Sequence, residues 1–212
     1  MFYAVDRLKS FATDESLGIR MIVIDEYKQA LNSIMHPSAA TSRQMSIGNA
    51  LLFYYKATLI PMVLTAIEFA LAGSALGGLV GSLVKTLPFA GGLLGAGFGV
   101  LVVLYWIIFI PIGLFVWAAV LHLFGKILLR WFKGNYSNTF TGMVYAQAAQ
   151  WSLVWVPVIG WIIGALAGLV TSLVGVANQN KTEWWRVLVA AIIAGIVVYI
   201  IELIVIAATV LG

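Results

Sequence analysis

The sequence predicts an all-α membrane protein, a bundle of five transmembrane helices preceded by an N-terminal amphipathic helix. Of the 212 residues, 62% are hydrophobic and only 9% are charged, and the mean hydropathy is +1.03. Soluble proteins carry roughly 25% charged residues. We therefore expect a cytoplasmic N-terminal region over residues 1–45 and a single membrane domain over residues 46–212.

The N-terminal part is the most polar stretch of the chain. Residues 1–56 hold six of the twelve bases and five of the eight acids. Apolar side chains recur there at helical spacing, and the run ends at His36-Pro37; its members are Ile24, Tyr27, Leu31, Ile34 and Met35. This pattern predicts an amphipathic helix. It fits a helix at the membrane surface and a helix packed against a partner or the bundle end equally well.

Five apolar stretches follow, each long enough to predict a span. Ser46 is the expected N-cap of the first helix, and the first stretch alone measures about 42 Å as a helix, against a hydrocarbon core of roughly 30 Å. The predicted spans are residues 57–84, 93–124, 138–156, 161–177 and 184–212. We expect a turn at residues 85–90, a bend at Pro111, a tight reversal at residues 157–160 and a polar loop at residues 178–181.

The distribution of lysine and arginine predicts the orientation. Five spans place Lys85 alone on one side and eleven basic residues on the other: Arg7, Lys9, Arg20, Lys28, Arg43, Lys56, Lys126, Arg130, Lys133, Lys181 and Arg186. Cytoplasmic loops of membrane proteins are enriched in these residues. We therefore expect a protein of the cell membrane whose N-terminus is cytoplasmic and whose C-terminus lies on the opposite side.

A few polar side chains interrupt the apolar spans. Counting helical rise from the proposed boundaries puts Glu68, Gln150 and Tyr199 at similar depth, with Gln147 one turn away. The functional interpretation is a polar cluster inside the bundle, because an acid within a membrane is rare and is usually tied to function. The structural interpretation is that the amides only join helices by hydrogen bonds.

Small and basic residues give two further signals. Gly160, Gly164, Gly168 and Ser172 repeat every fourth residue, which predicts a flat stripe for close helix packing, either within one bundle or between the protomers of a homo-oligomer. A basic cluster of Lys126, Arg130 and Lys133 follows the second span. It is suited to bind anionic lipid headgroups, although such clusters also serve only to set topology.

The chemistry of known enzyme and metal sites is missing from the sequence. There is no cysteine and there are only two histidines. No phosphate-binding loop, nucleophile motif or metal-ligand spacing occurs. We therefore expect no catalytic residue, no metal, no cofactor and no nucleic-acid partner.

One long region resembles a known family. Residues 122–193 contain the runs "HLFGK", "VYAQAAQ", "WVPVIGWI" and "SLVGVA", and the upstream stretch "LNSIMHPSAATSRQMSIGNALLFYYKATLIP" contains a proline ahead of the first span. Both resemble the Yip-domain family of Ypt/Rab-interacting membrane proteins, and the short N-terminal region is similar to that of prokaryotic relatives. The resemblance implies a five-span bundle with a cytoplasmic N-terminal region. Eukaryotic members are linked to Rab GTPases, vesicle traffic and membrane shaping.

Two functions remain open at this point. The first is a non-enzymatic membrane-organising or adaptor protein, whose cytoplasmic face contacts lipid headgroups or a protein partner. The alternative is a small transporter, channel or lipid-moving protein that uses a cavity around Glu68.

Overall fold

A computed structural model describes residues 23–83 and 90–211, and every regular element in these two ranges is helical. The predicted turn at residues 85–90 therefore lies almost entirely outside the described residues. The helices are α1 (23–35), α2 (Pro37–Ala40), α3 (Ile47–Leu83), α4 (Ala90–Leu104), α5 (Ile110–His122), α6 (Tyr136–Trp151), α7 (Ile159–Asn180) and α8 (Trp184–Leu211). Two π-helical segments, Tyr105–Phe109 and Leu123–Leu128, precede and follow α5.

Four helical runs in the described part of the chain are long and apolar enough to cross a membrane. They are Ile47–Leu79, Gly92–Leu128, Ile159–Asn180 and Trp184–Thr209, and they overlap the first, second, fourth and fifth predicted spans. These runs are consistent with a multi-pass membrane protein. The third predicted span, residues 138–156, is instead the 16-residue helix α6, about 24 Å long and shorter than a bilayer core.

Helix α6 lies at the centre of the bundle. Ten of its sixteen residues are buried, and α3, α5 and α7 pack around it. Aromatic pairs join it to two of these neighbours: Phe53 to Tyr145, with ring centroids 5.0 Å apart, and Phe115 to Phe140, at 4.5 Å. Because protein surrounds α6, its amide and hydroxyl side chains do not need to face acyl chains.

Small residues bring α7 very close to α6. A methyl group added at Gly164 would lie 2.5 Å from the carbonyl oxygen of Gln150, and one at Gly168 would lie 2.8 Å from the Gln150 Cβ. Gly160, at the start of α7, faces the residues that follow α6. Ser172 is half-buried, and its hydroxyl donates to the Leu169 carbonyl of the same helix. Its place in the stripe stays a prediction.

The stripe continues through Gly175. Gly175 lies against Gly142 of α6, and a Cβ on Gly142 would be only 2.7 Å from the backbone nitrogen of Val176. A helix has 3.6 residues per turn, so residues spaced four apart shift slowly around its surface. After Gly160, Gly164 and Gly168, the residue that faces α6 is therefore Gly175, seven positions after Gly168. The two helices thus stay in close contact up to the end where α6 begins and α7 ends, which we call the loop end.

Helices α3 and α4 form a second close pair. A Cβ on Gly73 would contact the Leu94 carbonyl at 3.0 Å and the Gly95 Cα at 3.1 Å, and Gly99 faces Ala66 and Ala70. The N-terminus of α3 has the predicted cap, since the backbone amide of Asn49 donates to the Ser46 hydroxyl at 3.3 Å.

The distortion expected at Pro111 takes the form of a π-helical turn. Pro111 cannot donate to the residue four positions earlier. The turn Tyr105–Phe109 immediately precedes it, and the Ile110 amide donates to the Tyr105 carbonyl. One extra residue in this turn lets the helix continue past the proline.

Helix α1 packs against the bundle, with a different face from the one the apolar pattern predicts. Ala30 and Ser33 are buried, whereas Ile24 and Met35 of the apolar stripe are 42% and 74% exposed. Hydrogen bonds to α6 and α7, described below, determine which face is buried.

We predict that Gly142→Ala destabilises the protein by about 1–3 kcal/mol, because backbone atoms of α7 cannot move away from the new methyl group as a flexible side chain could. Thermal unfolding in detergent micelles, followed by circular dichroism, measures the effect. Gly195→Ala in α8 is the matched control, since nothing lies within 4 Å of its added methyl. Equal unfolding temperatures for the two variants would contradict the close contact.

Candidate functional site

The most elaborate polar structure is the attachment of residues 23–45, which we call the strap, to α6 and α7. The strap contains α1, α2 and a non-helical segment that leads to α3. Thr41 in this segment is completely buried.

The last turn of α7 holds the middle of the strap. The side-chain amide of Gln179 donates to the carbonyls of Thr41 at 2.6 Å and Arg43 at 2.9 Å. Asn178 donates to the Ser38 carbonyl at 3.0 Å. The prediction of a polar loop at residues 178–181 is wrong for its first three residues, which are helical. Asn178 and Gln179 hold the strap, whereas Asn180 bonds the loop between α5 and α6.

Hydroxyl groups of α6 and α7 hold two other points of the strap. Ser137 and Thr141 both donate to the Met45 carbonyl, at 2.9 and 3.2 Å, and Thr171 donates to the Ser33 carbonyl at 3.3 Å. In all of these contacts the bundle supplies the side chain and the strap supplies a backbone oxygen. Side chains of the bundle therefore anchor the backbone of the strap at several points.

The strap runs antiparallel to α6 and reaches its far end. The Tyr27 hydroxyl donates to the Ser152 carbonyl at 3.1 Å, and the Trp155 indole donates to the Tyr27 oxygen at 3.3 Å. Asp25 and Lys28 on the same helix are exposed. Charged side chains at membrane depth are found where water or partners reach them.

A second polar network orders the loop between α5 and α6. Asn135 caps α6 in a reciprocal pair with Asn138, and the Lys133 amide donates to the Asn180 carbonyl at 3.0 Å. The Thr139 hydroxyl donates to Asn180 at 3.2 Å and lies 2.8 Å from the His122 Nδ1. Thr139 therefore links the His122 ring of α5 to Asn180 of α7.

The predicted basic cluster is divided by this network. The Lys126 ammonium donates to the Gly134 carbonyl, so it is part of the loop structure. Arg130, Lys133 and Lys181 are all exposed. Lys181 lies beside Lys133, because the backbone amide of Lys133 donates to the carbonyl of Asn180, the residue before Lys181. We call the surface formed by Arg130, Lys133 and Lys181 the basic loop face.

Two members of the basic loop face have left-handed backbone conformations. Arg130 has φ of 56° and Lys181 has φ of 51°. Residues with a Cβ adopt this conformation at a cost, and glycine is the usual residue at such helix ends. The chain therefore carries a cation at two positions where glycine would be easier to accommodate.

The predicted intramembrane cluster does not come together. Gln147 and Gln150 do share one groove of about 340 Å³, which Gly113 and Trp117 also line. Glu68 lines neither this groove nor the neighbouring groove of Thr65, Trp106 and Trp151. Among the described residues, no hydrogen bond joins Glu68 to either amide. Tyr199 is 61% exposed on α8.

The prediction took Lys56 of α3 and Asn138 of α6 to lie at the same depth, and the structure places them at different depths. Phe53 of α3 contacts Tyr145 in the middle of α6. Glu68 lies fifteen residues, about 22 Å, farther along α3, where α6 has already ended. Sequence reasoning also missed Gln179 and Asn178, whose amides are visible in the sequence but whose partners are distant in the chain.

Comparison with known proteins adds no identification: no family model, curated protein or solved structure matches this chain.

We predict that Gln179→Leu loosens the strap without unfolding the bundle. Loss of two hydrogen bonds of about 0.5–1.5 kcal/mol each should speed amide exchange in residues 40–42 by roughly tenfold to a hundredfold. Hydrogen exchange read by mass spectrometry measures this. Gln44→Leu, at an exposed strap position, is the control and should leave exchange unchanged. Equal rates in the two variants would show that Gln179 does not hold the strap.

Proposed function

We propose that this protein is a non-enzymatic membrane-organising or adaptor protein, similar to the Yip-domain family, that acts through its basic loop face. The observation that carries the proposal is the pair of exposed cations, Arg130 and Lys181, in left-handed conformations. Strained backbone conformations that persist are concentrated at functional sites. A charge kept at such a position is best explained by something that binds it.

Anionic lipid headgroups are the binding partner that this face fits. Arg130, Lys133 and Lys181 project from loops that are tied to each other through Asn180, so the three charges are presented together. Trp131 lies in the same loop as Arg130 and Lys133, and its ring centroid is 5.7 Å from that of Trp185 in the first turn of α8. Tryptophan beside lysine and arginine is typical of the membrane interface. The exposed residues of the strap offer a second surface for a protein partner.

The proposed topology has five crossings, with the loop end in the cytoplasm. Helix α6 is too short to qualify as a span by its own length, but it packs along α7 from Gly142 to Gln150. If α7 crosses the membrane, α6 must cross with it. The position of Arg130, Lys133 and Lys181 at the loop end supports a cytoplasmic location for that end. The transport alternative relied on Glu68 meeting Gln147 and Gln150, and that support is missing.

We predict that the double variant Arg130→Gly with Lys181→Gly binds anionic lipid more weakly while its fold becomes no less stable. Two cations at about 1 kcal/mol each correspond to roughly a thirtyfold rise in Kd. Titration of short-chain phosphatidylglycerol into the purified protein by calorimetry measures the Kd, and thermal unfolding measures the stability. Glycine should relieve about 1 kcal/mol at each left-handed position.

The control for this experiment is Arg130→Lys with Lys181→Arg, which keeps both charges and should leave the Kd within about twofold of the original. Short-chain phosphatidylcholine serves as the uncharged lipid. An unchanged phosphatidylglycerol Kd in the glycine variant would overturn the role of the basic loop face.

The proposed topology is tested with single cysteines, because the chain has none of its own. We expect a membrane-impermeant maleimide added to intact cells to label cysteine at Val158 and Thr209 but not at Ser42 or Glu183. All four positions are exposed in the structure. Cells opened before labelling provide the control for reactivity. If Val158→Cys is labelled only after the cells have been opened, the α6–α7 hairpin does not cross the membrane.

A further inference from the structure

Two hydrogen bonds fix the direction of the strap along α7. At the last turn of α7, the Gln179 amide donates to the Thr41 carbonyl. Eight residues earlier in both segments, the Thr171 hydroxyl donates to the Ser33 carbonyl. Eight residues of α-helix measure about 12 Å. The strap therefore runs parallel to α7 and follows it from the loop end into the middle of the bundle.

The first helix of the strap, α1, continues to the opposite end of α7. Its Tyr27 hydroxyl donates to the Ser152 carbonyl, and the next residue, Leu153, lies against Gly160 in the first turn of α7. Gly160 and Gln179 are nineteen positions apart in α7, about 28 Å. The hydrocarbon core of a bilayer is roughly 30 Å thick. The strap is thus attached near both ends of a helix that is long enough to cross a membrane.

The charged side chains of the strap lie only near its two ends. Asp25, Glu26 and Lys28 lie at one end, and Arg43 lies at the other. Residues 29–42 between them contain no aspartate, glutamate, lysine or arginine. Charged groups inside a bilayer are costly, so a segment that crosses one carries its charges at its ends. The strap has the charge pattern of a crossing segment.

We propose that the strap crosses the membrane together with α6 and α7, as a sixth crossing, and that the start of α1 lies on the side opposite the loop end. This inference rests on the proposed topology, in which α6 and α7 cross. Since α1 is bonded to both ends of that helix pair, it cannot stay on one side while the pair crosses. The sequence predicts instead that the whole of residues 1–45 is cytoplasmic.

The loop end remains the more basic side in this topology. Lys28 lies at the opposite end of the strap, whereas six of the eight lysines and arginines in the described ranges lie at the loop end: Arg43, Lys126, Arg130, Lys133, Lys181 and Arg186. Cytoplasmic segments are enriched in these residues. A cytoplasmic loop end is therefore compatible with a strap that crosses.

The crossing also assigns a side to the surface that α1 offers to a protein partner. Asp25 and Lys28 are exposed one turn apart on α1, and Ile24 beside them is 42% exposed. A protein that docks on these side chains does so on the side of the membrane opposite the basic loop face. The two ends of the strap are therefore accessible from different compartments.

Single cysteines near the two ends of the strap test the crossing in the full chain. Asp25 and Ser42 are both exposed. We expect a membrane-impermeant maleimide added to intact cells to label Asp25→Cys and to leave Ser42→Cys unlabelled until the cells are opened. Ile24→Cys repeats the measurement without removing a charge. Labelling of both ends of the strap from the same side of the membrane would overturn the inference.

Labelling at Val158 separates this inference from the topology on which it rests. Val158 lies between α6 and α7, so its side of the membrane reports whether that pair crosses. If Val158→Cys is labelled opposite to Ser42→Cys while Asp25→Cys is labelled on the same side as Ser42→Cys, only the crossing of the strap is wrong. If Val158→Cys is labelled on the same side as Ser42→Cys, α6 and α7 do not cross, and both proposals are wrong.

A lysine in the middle of the strap provides an independent test. Asn32 is exposed and precedes Ser33, which is bonded to the middle of α7. If the strap crosses, Asn32→Lys places an ammonium group at membrane depth and should lower the unfolding temperature in nanodiscs by roughly 6–12 °C. Ser42→Lys, at an exposed position near the loop end, is the control and should change it by less than about 2 °C. Equal unfolding temperatures for the two variants would mean that Asn32 faces water and that the strap does not cross.

Discussion

Close contact between α6 and α7 is the constraint on which the rest of the bundle depends. Gly142 lies against the Val176 backbone, and Gly164 and Gly168 lie against Gln150. With α7 this near, and with α3 and α5 on other sides, α6 is enclosed by protein. A helix with buried threonines and two glutamines is stable in this place because neighbouring helices, and not acyl chains, meet its polar groups.

The same contact sets the register between the two helices at the loop end. It places Ser137 and Thr141 of α6 at the same height as Asn178 and Gln179 of α7, so donors from both helices converge on the strap. The strap offers backbone carbonyls, which must be hydrogen bonded when buried. Its attachment therefore follows from the helix pairing. The connections that carry the basic loop face are fixed through Asn180 in turn.

The side-chain amide nitrogens at the loop end are paired with backbone carbonyls. Those of Asn138, Asn178 and Gln179 donate to the carbonyls of Gln179, Ser38 and Thr41. A network whose donors are paired stabilises one conformation. The loop end therefore serves the architecture of the bundle.

The sequence alone determined those features that depend on neighbours along the chain. The length of the apolar stretches predicted four of the helices that could span a membrane, and Ser46 predicted the cap of α3. His36-Pro37 predicted the end of α1. The three-residue spacing of Gln147 and Gln150 placed both amides in one groove. Each of these follows from helical rise and rotation within one element.

Only the tertiary structure decided which faces meet. It directed Tyr199 outward, left Glu68 beyond the end of α6, brought Gly175 against Gly142, and turned a polar "NQN" run from an expected loop into the last turn of α7. The direction of a side chain around the bundle depends on the rotation of whole helices against each other. That rotation is set by contacts between residues far apart in the chain, such as Gln179 with Thr41, which local pattern does not encode.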